Sequence, residues 1–136
     1  MRVAVIGTGY VGLVSAVCLA HMGHTVTGVD NDAGKLARLR EGQSPIYEPG
    51  LQEDLSLAMG TGRLRFHGDL VAAVAGSAVI FVAVGTPPLP SGASDTRAVA
   101  AVATAIGAAL AGDDQPRLVV NKSTVPVGTG ARVQDL

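Results

Sequence analysis

The chain has 136 residues, 48% of them apolar and 15% charged, with a formal net charge of −1. That length suits one domain; the apolar share supports a sizeable core and excludes a disordered chain, and the near-neutral charge argues against a nucleic-acid surface. Aromatic residues make up only 3%, without a tryptophan, so the core is built from Val, Ala, Leu and Ile, a usage that suits strands covered by helices on both faces.

Arg2 to Ile6 reads as a first strand, and Tyr10 to Met22 as a first helix stopped by Gly23. Thr25 to Val29 is a second strand, and Ala33 to Glu41 a second helix stopped by Gly42. After a loop over Gln43 to Glu48, Pro49 is placed to open a short helix running to about Met59. Arg63 to His67 alternates as a third strand, and Asp69 is placed to cap a short helix over Leu70 to Ala75. Ala78 to Val84 is the most continuously apolar strand, as a central parallel strand should be. Gly85 to Ser94 is a Pro/Gly-rich loop, and Asp95 is placed to cap a long helix to Ala111 with Val99, Val102, Ile106 and Leu110 on one face. The alanine density over residues 98 to 111 reads as close helix–sheet packing. Arg117 to Asn121 is a fifth strand, Lys122 to Val127 a loop, and Gly128 to Leu136 the start of another helix. Regular strand–helix alternation implies an open α/β parallel sheet, helices on both faces.

Gly7-Thr8-Gly9-Tyr10-Val11-Gly12 lies between the first strand and the first helix. A G-x-G-x-x-G string is weak alone, but strand, turn, helix and an acidic residue closing the next strand together form a dinucleotide-binding fingerprint. Asp30 is that residue, 18 positions beyond Gly12. Gly7 frees the backbone for the turn, Gly9 lets it approach a pyrophosphate, and Gly12 lets the helix pack close to the sheet. The helix N-terminus directs N–H groups and its positive dipole end at phosphates. A carboxylate at Asp30 accepts bonds from ribose hydroxyls and repels a 2′-phosphate, so NAD is expected rather than NADP. The other job open to Asp30, capping the second helix, Asp32 can fill equally well. The motif selects a Rossmann-type doubly wound sheet of order 3-2-1-4-5, with cofactor over the carboxyl ends of strands one and four.

Cys18 is the only cysteine, so no disulfide framework or thiolate cluster is expected. It falls among Val14, Val17 and Leu19 and is expected to pack in the core as an inert thiol. His21, His24 and His67 lack ligand-like spacing, and no metal is expected. Lys35, Arg38 and Arg40 form only a loose basic cluster. No apolar stretch approaches the roughly 18 residues of a membrane span, and the short apolar N-terminus ends in glycines as a strand does. No membrane partner and a cytoplasmic location are the expectations.

Three loops carry unusual residues: Pro45-Ile46-Tyr47-Glu48-Pro49-Gly50-Leu51, Val84-Gly85-Thr86-Pro87-Pro88, and Lys122-Ser123-Thr124-Val125-Pro126-Val127-Gly128-Thr129. The last two follow strands four and five and can offer hydroxyls and N–H groups to the nicotinamide half of a dinucleotide; plain turn chemistry is the alternative for each. Together the strings closely resemble the N-terminal NAD-binding domain of the UDP-glucose/GDP-mannose dehydrogenase family, nearest its UDP-glucose 6-dehydrogenase branch. The resemblance runs from Met1 to Gln134. It implies that Gly7, Gly9, Tyr10, Val11 and Gly12 bind the pyrophosphate and that Asp30 and Lys35 hold the adenosine ribose. Gly85, Thr86 and Pro87 then line the cofactor, and Ser123, Thr124 and Val125 approach the nicotinamide, with Thr124 helping to position water near the reacting carbon. Glu48 is expected to be structural or substrate-side, not a general base.

The family resemblance further implies a parent protein that oxidises a nucleotide sugar to its uronate with two NAD. It also implies a homodimer or larger assembly. Family members carry a central helix and a second domain that supplies the cysteine nucleophile and most of the sugar site. None of that is recognised in residues 1–136, so this stretch is expected to be an excised or truncated cofactor domain, inactive alone. A stand-alone NAD-binding or redox-sensing module, and another nucleotide-sugar dehydrogenase (GDP-mannose or UDP-N-acetylmannosamine), remain as alternatives. A hydroxy-acid dehydrogenase of the 6-phosphogluconate-like group shares the fold but not the loop strings.

Overall fold

The computed structural model describes residues 1–136. Five strands, β1 (Arg2–Ile6), β2 (Thr25–Val29), β3 (Leu64–His67), β4 (Val79–Val82) and β5 (Leu118–Asn121), form one parallel sheet of order β3-β2-β1-β4-β5. Six helices connect and flank them: α1 (Tyr10–His21), α2 (Ala33–Arg40), α3 (Leu51–Gly60), α4 (Leu70–Val74), α5 (Arg97–Leu110) and α6 (Thr129–Gln134). The register pairs Ile6 with Val29 on one side and with Val82 on the other. The first residues past β1, β2 and β4 therefore emerge side by side. Gly7 N–H donates to the Val29 carbonyl at 2.7 Å, and Ala83 N–H to that of Ile6 at 2.8 Å.

Strand side chains alternate between faces, and each face has its own core. Val3, Val5 and Val26 meet Leu13, Ala16 and Val17 of α1, Leu36 and Leu39 of α2, and Leu51 and Leu55 of α3. Ala4, Ile6, Ile80 and Val82 meet Ala73 and Val74 of α4 with Val99 and Ile106 of α5. Such fully buried aliphatic side chains each stabilise by about 1.5–3 kcal/mol relative to exposure, and their number replaces the missing aromatics. Phe66 is accommodated only because β2 carries Gly28 beside it; a Cβ there would stand 2.7 Å from the ring.

Several boundaries differ from the sequence reading for local reasons. The second helix is capped by Asp32, whose Oδ1 accepts the Lys35 N–H at 2.9 Å. The third begins at Leu51, not Pro49, because Gly50 takes the left-handed conformation (φ 81°) and forms the cap itself. Asp69 caps α4 as expected, accepting the Ala72 N–H at 3.0 Å. Asp95 lies one residue too early to be the cap of α5, which is Thr96. Its carboxylate instead accepts the Arg97 N–H and pairs with the Arg97 guanidinium.

Two core expectations are corrected. Only Ala103 among the alanines of α5 is buried. Val99, Ala103 and Ile106 form its buried stripe, Val102, Ala109 and Leu110 pack half-buried beside it as the apolar face predicted for Val102 and Leu110, and Ala98, Ala100 and Ala101 are exposed. Cys18 is exposed as well. The buried face of α1 is Leu13, Ala16, Val17 and Ala20; one residue advances a helix by about 100°, which carries Cys18 past that stripe.

The tightest point of the fold is Gly12. A Cβ there would come 1.9 Å from the Gly7 carbonyl oxygen and 3.2 Å from the Ala83 side chain. Both the turn and the seating of α1 would have to open. Gly12→Ala is therefore expected to destabilise the chain by about 3 kcal/mol or more, read as a fall in the urea midpoint; an unchanged midpoint would contradict this packing.

Candidate functional site

A cleft of about 470 Å³ opens where β1, β2 and β4 end. Gly7 and Gly9 line one part, Asp30 and Lys35 a second, and Val84 and Gly85 a third. Gly7 has φ 97°, a conformation that side chains disfavour, and a Cβ on it would lie 2.6 Å from the Ala83 carbonyl oxygen. Gly9 is different: a Cβ would meet nothing within 4 Å. Its glycine serves no protein contact and leaves space on the cleft wall. Gly9 is also the cap of α1 and offers no side-chain acceptor. The first helical bond there runs from Leu13 N–H to the Gly9 carbonyl at 2.8 Å, so the N–H groups of Tyr10, Val11 and Gly12 remain free, as the start of a helix leaves them.

Asp30 is the buried charge of the site, 8% exposed. Its Oδ2 accepts the Thr8 N–H at 2.9 Å, the Thr8 hydroxyl at 2.7 Å and Lys35 Nζ at 2.8 Å. Its Oδ1 accepts the Asp32 N–H at 3.0 Å. Burial pushes the carboxyl up, but the bonds from Lys35, Thr8 and the Asp32 backbone outweigh it and hold the pKa at about 2. The group is an anion with a fixed orientation. Lys35 reaches it because Asp32 starts α2 in the register that brings position 35 back over the end of β2.

The loops after β4 and β5 are tied to each other. Thr86 Oγ1 donates to the Thr124 carbonyl at 2.7 Å, and Ser123 Oγ to the Val84 carbonyl at 2.8 Å. Thr124 is exposed. Val125 packs half-buried against the core shared by β1, β4, α4 and α5. Of the residues expected from the sequence, Gly7, Gly9, Asp30, Lys35 and Gly85 line the cleft; Tyr10, Val11, Gly12, Thr86, Pro87, Ser123, Thr124 and Val125 lie outside that lining. Tyr10 is 55% exposed, and its hydroxyl donates to Glu48 Oε2 at 2.5 Å. That bond raises the phenol above its ordinary pKa and moors the loop before α3 to the start of α1.

The sequence reading missed two whole stretches of the wall, one after β3 and one on α5. Gly68 and Leu70 follow β3, and Ala98 and Ala101 belong to the first turns of α5. Two alanines spaced three apart, one turn into the helix after strand four, are the signal for the last pair: small side chains leave the cleft open there. No three His, Cys, Asp or Glu side chains gather as a metal-ion site, and no helix is long and apolar enough to cross a membrane.

Residues 1–136 match the family model described as the NAD-binding domain of the UDP-glucose/GDP-mannose dehydrogenase family. The chain is 49% identical over 136 residues to UDP-glucose 6-dehydrogenase of Pseudomonas aeruginosa, covering 100% of this chain and 29% of the relative. It is 50% identical over 135 residues to that of Rhizobium meliloti, covering 98% and 30%. Identity to the GDP-mannose 6-dehydrogenase of Pseudomonas aeruginosa is 42% over 129 residues, covering 95% and 30%. Among solved structures it is similar to a UDP-glucose dehydrogenase from Pyrobaculum islandicum, with TM-score 0.92 and 45% identity over 98% of this chain and 32% of that one. The chain thus spans about a third of the length of these relatives.

The depressed pKa of Asp30 links folding to pH. Its ordinary value is 3.8 and its folded value about 2, so its contribution is complete above about pH 4 and is lost as pH falls through 2. The difference is about 2 kcal/mol. The stability advantage of the unaltered chain over Asp30→Asn should shrink by that amount between pH 5 and pH 2 in denaturant titrations. An advantage independent of pH would show that the carboxylate is not held as described.

Proposed function

The chain belongs to the UDP-glucose/GDP-mannose dehydrogenase family as its NAD-binding domain, and we propose that it holds NAD for a parent that oxidises UDP-glucose at its 6-hydroxymethyl to the carboxylate. The observation that carries the binding role is the pairing, across one cleft, of a glycine turn with free helix N–H groups and a fixed, buried carboxylate. These features suit the two polar parts of a dinucleotide. The space left at Gly9 and the helix N-terminus suit a pyrophosphate, and Asp30 suits ribose hydroxyls. Lys35, anchored on the same carboxylate, completes the ribose site. Val84 and Gly85 bound the far part of the cleft, and the Thr86–Thr124 and Ser123–Val84 bonds hold the loops that would flank the nicotinamide.

The cofactor supplies the hydride acceptor, and this chain supplies its binding and orientation. Higher identity to the UDP-glucose than to the GDP-mannose enzymes supports UDP-glucose as the parent's substrate. Thr124, exposed at the end of β5, is the residue of this chain proposed to help position water at the reacting carbon. The covalent nucleophile is proposed to come from the remaining two thirds of such a parent. Cys18 is unsuited: it lies two turns along α1, which runs away from the carboxyl ends of the strands where the cleft opens.

Gly9→Val should fold normally and lose NAD binding, because its side chain enters only the open space on the cleft wall. Fluorescence titration with NADH, alongside a thermal melt, reads both; normal affinity would reduce the glycine string to a turn.

The 136-residue chain mixed with UDP-glucose and excess NAD should produce no NADH, and Cys18→Ser should behave identically while binding NAD like the unaltered chain. Absorbance followed over hours provides the check. Steady NADH production that disappears in Cys18→Ser would place the nucleophile in α1 and overturn the division of labour.

A further inference from the structure

Thr8 sits inside the glycine turn but not on the cleft wall. It is 0% exposed, and the lining passes from Gly7 to Gly9 without it. Its two donors, the backbone N–H at 2.9 Å and the hydroxyl at 2.7 Å, both go to Oδ2 of Asp30. Lys35 Nζ adds a third bond to the same oxygen at 2.8 Å. A carboxylate has about four lone-pair sites on its two oxygens, so three donors use up the capacity of Oδ2. Oδ1 accepts only the Asp32 N–H, and the acceptor capacity left for a ligand is on Oδ1.

Packing fixes this division. Thr8 is placed over Gly28 of β2, where a Cβ would come 3.3 Å from the Thr8 methyl and 2.7 Å from Phe66. The glycine of β2 thus makes the pocket for the methyl, and the methyl sets the hydroxyl on Asp30. A valine at position 8 would keep the shape and the N–H bond, and lose one of the four bonds that hold the carboxylate.

We propose that Thr8 is a positioning residue for cofactor specificity: by clasping Oδ2 it presents Oδ1 of Asp30 as the acceptor for the adenosine ribose 2′-hydroxyl. The inference rests on the ribose role proposed for Asp30 above and adds which oxygen is offered and what aims it. A fixed acceptor rewards a hydroxyl at one point in space; a carboxylate free to rotate divides its time between Lys35 and solvent, and the reward falls. The pKa of about 2 for Asp30 accords with the hydroxyl acting on the ionised form.

The test compares binding of NAD with that of NAD lacking the adenosine 2′-hydroxyl, by calorimetry on the 136-residue chain. The unaltered chain should prefer NAD by about tenfold. Thr8→Val should reduce that preference to about twofold, Thr8→Ser should keep it, and Asp30→Ala should abolish it. A merely structural role for Thr8 would weaken both ligands alike and leave the ratio unchanged. A ratio kept in Thr8→Val but lost in Asp30→Ala overturns the Thr8 assignment and leaves the ribose role of Asp30 standing. A ratio near one in the unaltered chain overturns the ribose role and the proposal with it. Should Thr8→Val not fold, carbon-13 NMR of the Asp30 carboxyl decides: titration near 2 in the unaltered chain and in Thr8→Ser is expected, and titration at the ordinary 3.8 overturns the clasp.

Discussion

Everything at the cleft depends on how closely the backbone of the first turn approaches the strand beside it. Gly7 sits with its missing Cβ 2.6 Å from the Ala83 carbonyl, and Gly12 with its own 1.9 Å from the Gly7 carbonyl. Side chains at either position would push α1 away from the strand ends. The helix would then no longer start level with Asp30, and its free N–H groups would no longer share a cleft with that carboxylate. Gly9 is exempt from this constraint because its surroundings are open. The three glycines of one string thus answer to different forces: backbone conformation and close approach at Gly7, close approach alone at Gly12, and space for something outside the protein at Gly9.

The charge of Asp30 follows from that geometry. A carboxylate in a largely apolar setting is costly unless donors replace its water. Four donors do so here, two of them from the turn itself and two from the residues that begin α2. The turn and the second helix are therefore joined through one buried anion, and the fold and the site share that interaction. Surface ion pairs such as Arg97 with Asp95 have no comparable role; solvent screens them and they fix only local geometry.

Periodicity made the fold legible. Runs such as Arg2–Ile6 and Thr25–Val29 are bounded by glycines and polar residues, and their order left one sheet topology consistent with the glycine motif. The elements that shifted did so where a single residue overrode the pattern, as Gly50 did at the start of α3. Cys18 and the alanines of α5 were misread for one shared reason. Composition says that a segment is apolar, but small apolar residues lie on either face of a helix at little cost, so only the helical angle relative to the sheet decides their burial. In the site, the glycines and Asp30 were legible because their chemistry is bound to their spacing. Thr8 was not, because a threonine between two glycines carries no signal until the strand opposite is seen to be Gly28. The wall residues Gly68 and Leu70 were hidden likewise: the expected sheet order already puts β3 beside β2, but neither residue type carries a binding signal of its own.

The surroundings of Asp30 and the loops after β4 and β5 are built differently. Around Asp30 the polar groups hold one another while Oδ1 keeps acceptor capacity, so the geometry is set before any ligand arrives. Around β4 and β5 the side-chain hydroxyls of Thr86 and Ser123 are spent on the carbonyls of Thr124 and Val84. They brace two loops against each other instead of offering donors, and they leave Thr124 exposed. An end that is rigid and charged suits recognition of the cofactor's adenosine half. A region that is braced but open presents carbonyl-bound hydroxyls and an exposed Thr124 instead of a fixed charge. On that division, the turn and Asp30 present fixed polar groups, and the loops after β4 and β5 present a braced, open surface.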